Sequence, residues 1–334
     1  MRVVFMGTPE IAAGILKTLI ASRHEVVGVV TQPDKPNSRG NGIIFSDVKK
    51  VALEHEIPIF QPEKASEETF VESIRQLNPD IIVVAAYGQI LRENILNLPK
   101  YRCINVHASL LPKYRGASPI QWAVINGEKE TGVTIMYMEK GLDTGDMILT
   151  RRLELAPDET AGSLHDRLME LGGPTLLEAM DEIEAGTAHP IPQNNDEATY
   201  VGMIKKSMGE LDFNNKTEYL ERLIRGLIPW PGAYTFINGK MLKIWKAVIP
   251  DGRAEVPEET GDADGCGTSR CGTERTPGRI FTYGAGLYIE TADGCLELLE
   301  VQLEGKKRMA AGDFLRGYKL EEGTVCGRKA DEAG

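Results

Sequence analysis

Asn105 and His107 stand two residues apart in Cys103-Ile-Asn-Val-His107, at the end of a short apolar run. If that run is a strand, both side chains leave the same face. An amide donor beside an imidazole suits acyl chemistry. The amide N–H can hold a developing oxyanion, and the ring can move protons near neutral pH. A hydrogen-bonded strand end with no reaction attached shows the same residues. Asp143 lies in Gly141-Leu-Asp-Thr-Gly145, between glycines that allow a tight turn and so the presentation of a carboxylate into a cleft. An Asp beside a His orients the ring and stabilises its charged form, although an ordinary Asp turn reads the same way. No Gly-x-Ser-x-Gly elbow is present, and Cys103 is better read as a core thiol. No His/Cys cluster has metal-ligand spacing, so no metal is expected. Gly7-Thr-Pro-Glu10 lacks the glycines of a phosphate-binding turn, so no dinucleotide cofactor is expected either.

The elements that must position these residues alternate along the first half. Apolar runs at Val3–Phe5, His24–Val30, Ile57–Phe60, Asp80–Ala86, Cys103–His107 and Gly132–Met138 read as strands. The run at 80–86 is continuously apolar, as in a parallel strand buried on both faces. Ile11, Ile15 and Leu19 recur at helical spacing, and 47–55 and 69–77 read as further helices. The implied class is α/β with a Rossmann-like open sheet, whose ligands bind beyond the carboxyl ends of its strands. A helix pair follows at Ser163–Leu171 and Pro174–Ala185, broken by Gly172-Gly173.

Near residue 187 the texture changes. Two prolines and Gln193-Asn-Asn-Asp-Glu197 give 188–205 the composition of a linker. A helix is expected next, N-capped by Asn215 with Glu218 as its capping-box partner. Short strands then recur at 233–237, 240–248, 279–282, 286–291 and 294–301, with Asn238-Gly239 as a hairpin turn. Five short strands without an intervening helix suggest a small OB-like β-barrel. The expected domains are therefore 1–187 and 206–320, the second carrying a flexible insert near 250–277 that includes Cys266 and Cys271.

The composition excludes several classes. The chain has 334 residues, 42% hydrophobic and 26% charged, which is ordinary for two globular domains and far from disorder. No apolar run approaches a membrane span, and the N-terminus lacks a signal-peptide core, so no membrane partner and a cytoplasmic location are expected. Five scattered cysteines do not make a disulfide framework. The formal charge of −11 opposes a surface that binds nucleic acid all over. It leaves room for a local basic face. Between Lys205 and Ile249 eight Lys and Arg stand against four Asp and Glu, and Lys306-Lys-Arg308 adds a cluster.

Several segments carry a family resemblance: Phe5-Met-Gly-Thr-Pro-Glu10, Thr31-Gln-Pro-Asp-Lys-Pro36, Ala86-Tyr-Gly-Gln-Ile-Leu91 and Asn105-Val-His-Ala-Ser-Leu-Leu-Pro112. So do Tyr114-Arg-Gly-Ala-Ser-Pro-Ile-Gln121, Glu130-Thr-Gly-Val-Thr-Ile-Met136 and Gly141-Leu-Asp-Thr-Gly-Asp-Met147. In order from residue 1 to about 318, the chain resembles the folate-dependent formyltransferases. The early Gly-Thr-Pro, the Gln-Pro-Asp-x-Pro loop and Pro229-Trp-Pro-Gly232 resemble the branch that acts on methionyl-tRNA.

The resemblance implies a transferase that moves a formyl group from 10-formyltetrahydrofolate to the α-amine of methionyl initiator tRNA. It makes Asn105, His107 and Asp143 the catalytic trio. Tyr87, Gly88, Ser109, Leu110, Leu111 and Pro112 would line the folate site, and Arg39 and Lys206 would touch tRNA. The loop after Arg39-Gly40 continues with Asn41 and Gly42, and is less basic than is usual in that branch. A monomer is expected. The rival readings are a formyltransferase with another amine acceptor and a non-catalytic folate- or tRNA-binding protein.

Overall fold

The structure is a computed structural model that describes residues 1–36, 42–250, 275–321 and 323–327. The described chain divides into two units. The first comprises residues 1–120, 129–157 and 163–203, and the second residues 121–128, 158–162 and 204 onward.

The first unit is built on a seven-stranded sheet of β1 (Arg2–Gly7), β2 (Glu25–Val30), β3 (Ile59–Phe60), β4 (Ile81–Ala85), β5 (Cys103–His107), β6 (Glu130–Tyr137) and β7 (Met147–Glu154). Their spatial order is β7-β6-β5-β4-β1-β2-β3. The run from β5 to β3 is parallel, while β6 and β7 pair antiparallel at one edge. Val3, Val4, Phe5 and Met6 of β1 and Ile81 to Val83 of β4 are almost wholly removed from water. That burial on both faces is why these strands read as unbroken apolar runs. Strand order reverses between β1 and β4, which is where an open sheet leaves a crevice for ligands.

Two sequence expectations change here. Ala161–Ala185 is one continuous helix, with Pro174 inside it. Gly172 and Gly173 do not break it; they let it approach the helix Glu10–Ile20 closely. A Cβ on Gly173 would stand 2.5 Å from Thr18 Oγ1 and 2.7 Å from Thr18 Cβ. The glycines are there for packing, and one helix replaces the expected pair. The stretch expected as linker is also ordered: residues 188–203 belong to the first unit. Ile191 exchanges both main-chain hydrogen bonds with Met147, at 2.8 and 2.9 Å. Tyr200–Val201 pairs in parallel with Arg115–Gly116.

The second unit is an antiparallel sheet of β8 (Ala233–Ile237), β9 (Lys240–Val248), β10 (Ile280–Tyr283), β11 (Gly286–Glu290) and β12 (Cys295–Leu303), with Met309–Ala310 beside β12. The order is β8-β9-β12-β11-β10. Residues 324–327 lie along both outer strands. Phe236 and Gly327 exchange main-chain hydrogen bonds, and Ile280 donates to Thr324. This segment, beyond the expected boundary at 320, joins the two edges and leaves less unpaired backbone there. Leu242, Ile244, Leu287, Leu296, Leu298 and Val301 fill the interior. The helix Thr217–Gly226 is not capped by Asn215. Its Thr217 N–H is held at 2.8 Å by the Asp293 carboxylate, 76 residues away, while the Asn215 side chain donates to the Asp212 carbonyl. Of the insert expected near 250–277, residues 251–274, with Cys266 and Cys271, lie outside the described residues.

Candidate active site

β5 delivers Asn105 and His107 at the carboxyl end of the sheet, where Asn105 pairs with Val84 of β4 and Met136 of β6, and His107 with Thr134. His107 is 6% exposed and Asn105 is half-buried. The His107 Nε2 lies 2.9 Å from the Tyr114 carbonyl oxygen. A carbonyl only accepts, so Nε2 carries the proton and Nδ1 is the nitrogen that gains one when the ring becomes charged. Nδ1 faces Asp143 Oδ2 at 3.8 Å, an ionic contact beyond hydrogen-bond length.

Asp143 is fixed from three directions. Its φ is +52°, a conformation that side-chain-bearing residues seldom adopt. The Gly116 N–H donates to Oδ2 at 2.8 Å. The Gln193 amide donates to the Asp143 carbonyl at 2.9 Å and to the Gly145 carbonyl at 2.7 Å. Gly145 closes the turn, since a Cβ there would stand 1.8 Å from the Tyr137 carbonyl oxygen.

The 107–116 loop is held by groups the sequence did not point to. Thr134, fully buried in β6, donates through its hydroxyl to the Ser109 carbonyl at 2.7 Å and accepts from the Leu111 N–H at 3.3 Å. Thr199 binds the Tyr114 N–H through its side chain and the Arg115 N–H through its carbonyl, both at 2.8 Å. Arg115 is 1% exposed, and its guanidinium donates to Gln193, Asn195 and Tyr200. A polar residue inside the apolar strand Gly132–Met136 was a legible signal for Thr134. Gln193 had none, because its neighbourhood reads as linker.

The expected folate residues fall into three kinds of position. Gly88 is exposed, and Leu110 and Pro112 are half-buried beside the trio. Ser109 and Leu111 are buried, and the Ser109 hydroxyl is turned inward to the Lys113 carbonyl. The Tyr87 ring lies in the core with Phe70 and Leu91, its hydroxyl unpartnered among the described residues and its pKa pushed up to about 12 by burial. The Tyr87 carbonyl accepts from the Thr8 hydroxyl and the Gln32 amide, both at 3.1 Å. Lys206 is exposed in the second unit, and Arg39 lies outside the described residues. Among the described residues no group of three or more His, Cys, Asp and Glu could hold a metal ion, and no helix is long and apolar enough to cross a membrane.

Comparison with known proteins places this arrangement. Residues 1–180 match the Formyl transferase family, and residues 203–319 match its C-terminal domain. The methionyl-tRNA formyltransferase of Lachnospira eligens is 52% identical over 328 residues, 98% of this chain and 100% of that one. That of Clostridioides difficile is 45% identical over 98% of this chain and 100% of its own. Among solved structures, HypX from Aquifex aeolicus in complex with tetrahydrofolic acid has a TM-score of 0.60 at 18% identity, over 94% of this chain and 47% of that one. The sugar 3N-formyl transferase WlaRD has a TM-score of 0.61 at 19% identity, over 92% of this chain and 99% of that one. These two likenesses concern the fold. From the two family matches and the full-length relatives, the chain belongs to the formyltransferase family, in its methionyl-tRNA formyltransferase branch.

Proposed function

We infer that this chain formylates the α-amine of methionyl initiator tRNA, with 10-formyltetrahydrofolate as the donor. The observation that carries the reading is the juxtaposition of Asn105, His107 and Asp143 at the carboxyl end of the sheet, in a chain whose full-length relatives are methionyl-tRNA formyltransferases.

The amine attacks the formyl carbon, and the carbonyl oxygen becomes a tetrahedral oxyanion. Asn105, whose side chain has no hydrogen bond to any described residue, supplies an amide donor for that oxygen. The attacking amine must lose a proton and the departing folate nitrogen must gain one. His107 carries that proton on Nδ1, the nitrogen left open by the Tyr114 contact, and the Asp143 carboxylate stabilises the charged ring. The carbon–nitrogen bond to the folate then breaks, leaving tetrahydrofolate and the formylated amine. Removing one preorganised oxyanion donor of this kind costs about 10²–10³ in rate. No covalent intermediate with the protein is needed. Cys103 supports that reading, since burial pushes its thiol far above the usual range, away from nucleophilic thiolate.

The folate is assigned to Gly88 and the 109–112 loop, with main-chain groups at Tyr87 as polar contacts. Arg39 and Lys206 are assigned to the tRNA. In the second unit Lys205, Lys206, Lys216, Lys240 and Lys246 are exposed, whereas Arg222 and Arg225 are paired with Glu218 and Glu221. The unpaired surplus therefore comes from lysines, which bind phosphate as point charges without reading bases.

One assay separates this reading from its rivals. The protein is incubated with formyl-folate donor and, in parallel, charged initiator tRNA, small amines or no acceptor, and the formylated product is followed. Product with tRNA alone supports the reading; product with small amines or none at all overturns it.

A further inference from the structure

We propose that Gln193 is a positioning residue for the transfer reaction: its amide, oriented by the buried Arg115 guanidinium, holds the Asp143 turn in register with His107. The inference rests on the roles given to His107 and Asp143 above.

Arg115 is 1% exposed, yet among the described residues the three hydrogen-bond partners of its guanidinium are neutral. A buried cation with neutral partners demands well-directed acceptors, because each one lost leaves charge without compensation. Gln193 Oε1 takes two of its donors, Nε at 3.0 Å and Nη2 at 2.8 Å. That settles which way the amide faces: oxygen to Arg115, nitrogen away. The Nε2 then points at the catalytic turn, where it divides its two hydrogens between the carbonyls of Asp143 and Gly145, at 2.9 and 2.7 Å. One planar group thus joins a fixed positive charge to both sides of a turn that contains a residue at φ +52°. The carboxylate itself is met by the Gly116 N–H, one residue along the chain from Arg115.

The same residues form the other half of the frame. His107 Nε2 is anchored on the Tyr114 carbonyl, and the Tyr114 and Arg115 N–H groups are both tied to Thr199. The imidazole and the carboxylate are therefore set against each other through residues 114–116, Gln193 and Thr199. Displacement of a reacting group by about 1 Å can cost on the order of 10²-fold in rate.

Glutamate separates positioning from support. Gln193→Glu keeps an acceptor for Arg115 and adds a charge to neutralise it, but it turns an oxygen toward two carbonyl oxygens that had accepted hydrogen bonds. Tyr200→Phe is the control, since among the described residues the phenol oxygen accepts from Arg115 and makes no hydrogen bond to the Asp143 turn. Asp143→Ala is measured beside them. Thermal stability, KM for the formyl-folate donor, kcat and the pH profile of kcat are read on the full-length protein with charged initiator tRNA.

The proposal expects Gln193→Glu to lower kcat about 10- to 100-fold, with KM for the donor within about threefold and the pH profile displaced. Tyr200→Phe should lower the melting temperature and leave kcat and the pH profile unchanged. If Gln193→Glu does not fold, Gln193→Asn carries the same test, because its amide is one methylene too short to reach both Arg115 and the turn. Unchanged kcat and pH profile in the folded variant, or equal effects of Gln193→Glu and Tyr200→Phe on kcat, overturn the proposal. An active Asp143→Ala would overturn the underlying reading of the site instead.

Discussion

Thr134→Val tests how far one buried hydroxyl holds the 109–112 loop, to which we assign the folate. The substitution keeps shape and β-branching and removes a single oxygen. That oxygen is fully buried, donates to the Ser109 carbonyl at 2.7 Å and accepts from the Leu111 N–H at 3.3 Å. The first contact is short; the second is long and contributes less. A net hydrogen bond is worth about 1 kcal/mol, and an orphaned buried partner costs about 1–3 kcal/mol. One strong and one weak contact therefore place the loss at about 2–3 kcal/mol. For a unit of this size that corresponds to a fall of roughly 4–12 °C in melting temperature. Urea unfolding of both proteins gives the free energy, and steady-state kinetics gives the function. The 109–112 loop should loosen while Asn105 and His107 stay on β5, so KM for the donor should rise severalfold and kcat change little. A loss below 0.5 kcal/mol, or a kcat defect with normal KM, would refute the reasoning.

Other expectations are as direct. Alanine normally gains about 1 kcal/mol over glycine inside a helix, but Gly173→Ala should instead destabilise by about 1–3 kcal/mol, because its Cβ would meet the Cβ as well as the hydroxyl of Thr18; a more stable variant in thermal melts would refute the close approach. Asp293→Asn should cost about 0.5–1 kcal/mol, toward the low end of cap energies because the carboxylate is exposed. The Thr217 N–H holds the Asp293 carboxyl below its ordinary range, so this contribution is complete above the unfolded value of about 4 and is lost as the pH falls through the folded value. Stability curves of wild type and Asp293→Asn should converge below about pH 4, and a gap that persists into stronger acid would contradict the cap.

How much of this was legible depended on whether the cause was local. β5 was bounded residue for residue as Cys103–His107, because an apolar parallel strand with polar groups at its carboxyl end has few other readings. The placement of Asn105, His107 and Asp143 was legible for the same reason: they stand on a strand end and a glycine-flanked turn. Met147–Glu154 escaped notice because it is an edge strand, paired along its length with β6 alone, whose Arg151 and Arg152 interrupt the apolar pattern. Gly172-Gly173-Pro174 looked like a break because local propensity does not show the helix packed against it. The cap at Thr217 comes from Asp293, so reading three residues ahead for a capping box could not find it. Gln193 sits among residues typical of linkers, and only the fold brings it between a buried arginine and the Asp143 turn. Tyr87 was expected to line the folate site, but its ring turns into the core, which the segment alone does not show.

The central claim is that His107 and Asp143 act as one unit in the transfer. Single-turnover formylation of charged initiator tRNA is therefore measured for wild type, His107→Ala, Asp143→Ala and the double variant, with tRNA binding recorded beside it. Coupled residues give strongly non-additive losses. Each single variant should lose most turnover with tRNA binding nearly intact, and the double variant should be little slower than the poorer single. Losses that multiply in full, or a His107→Ala protein that still transfers formyl at close to the wild-type rate, would contradict the account.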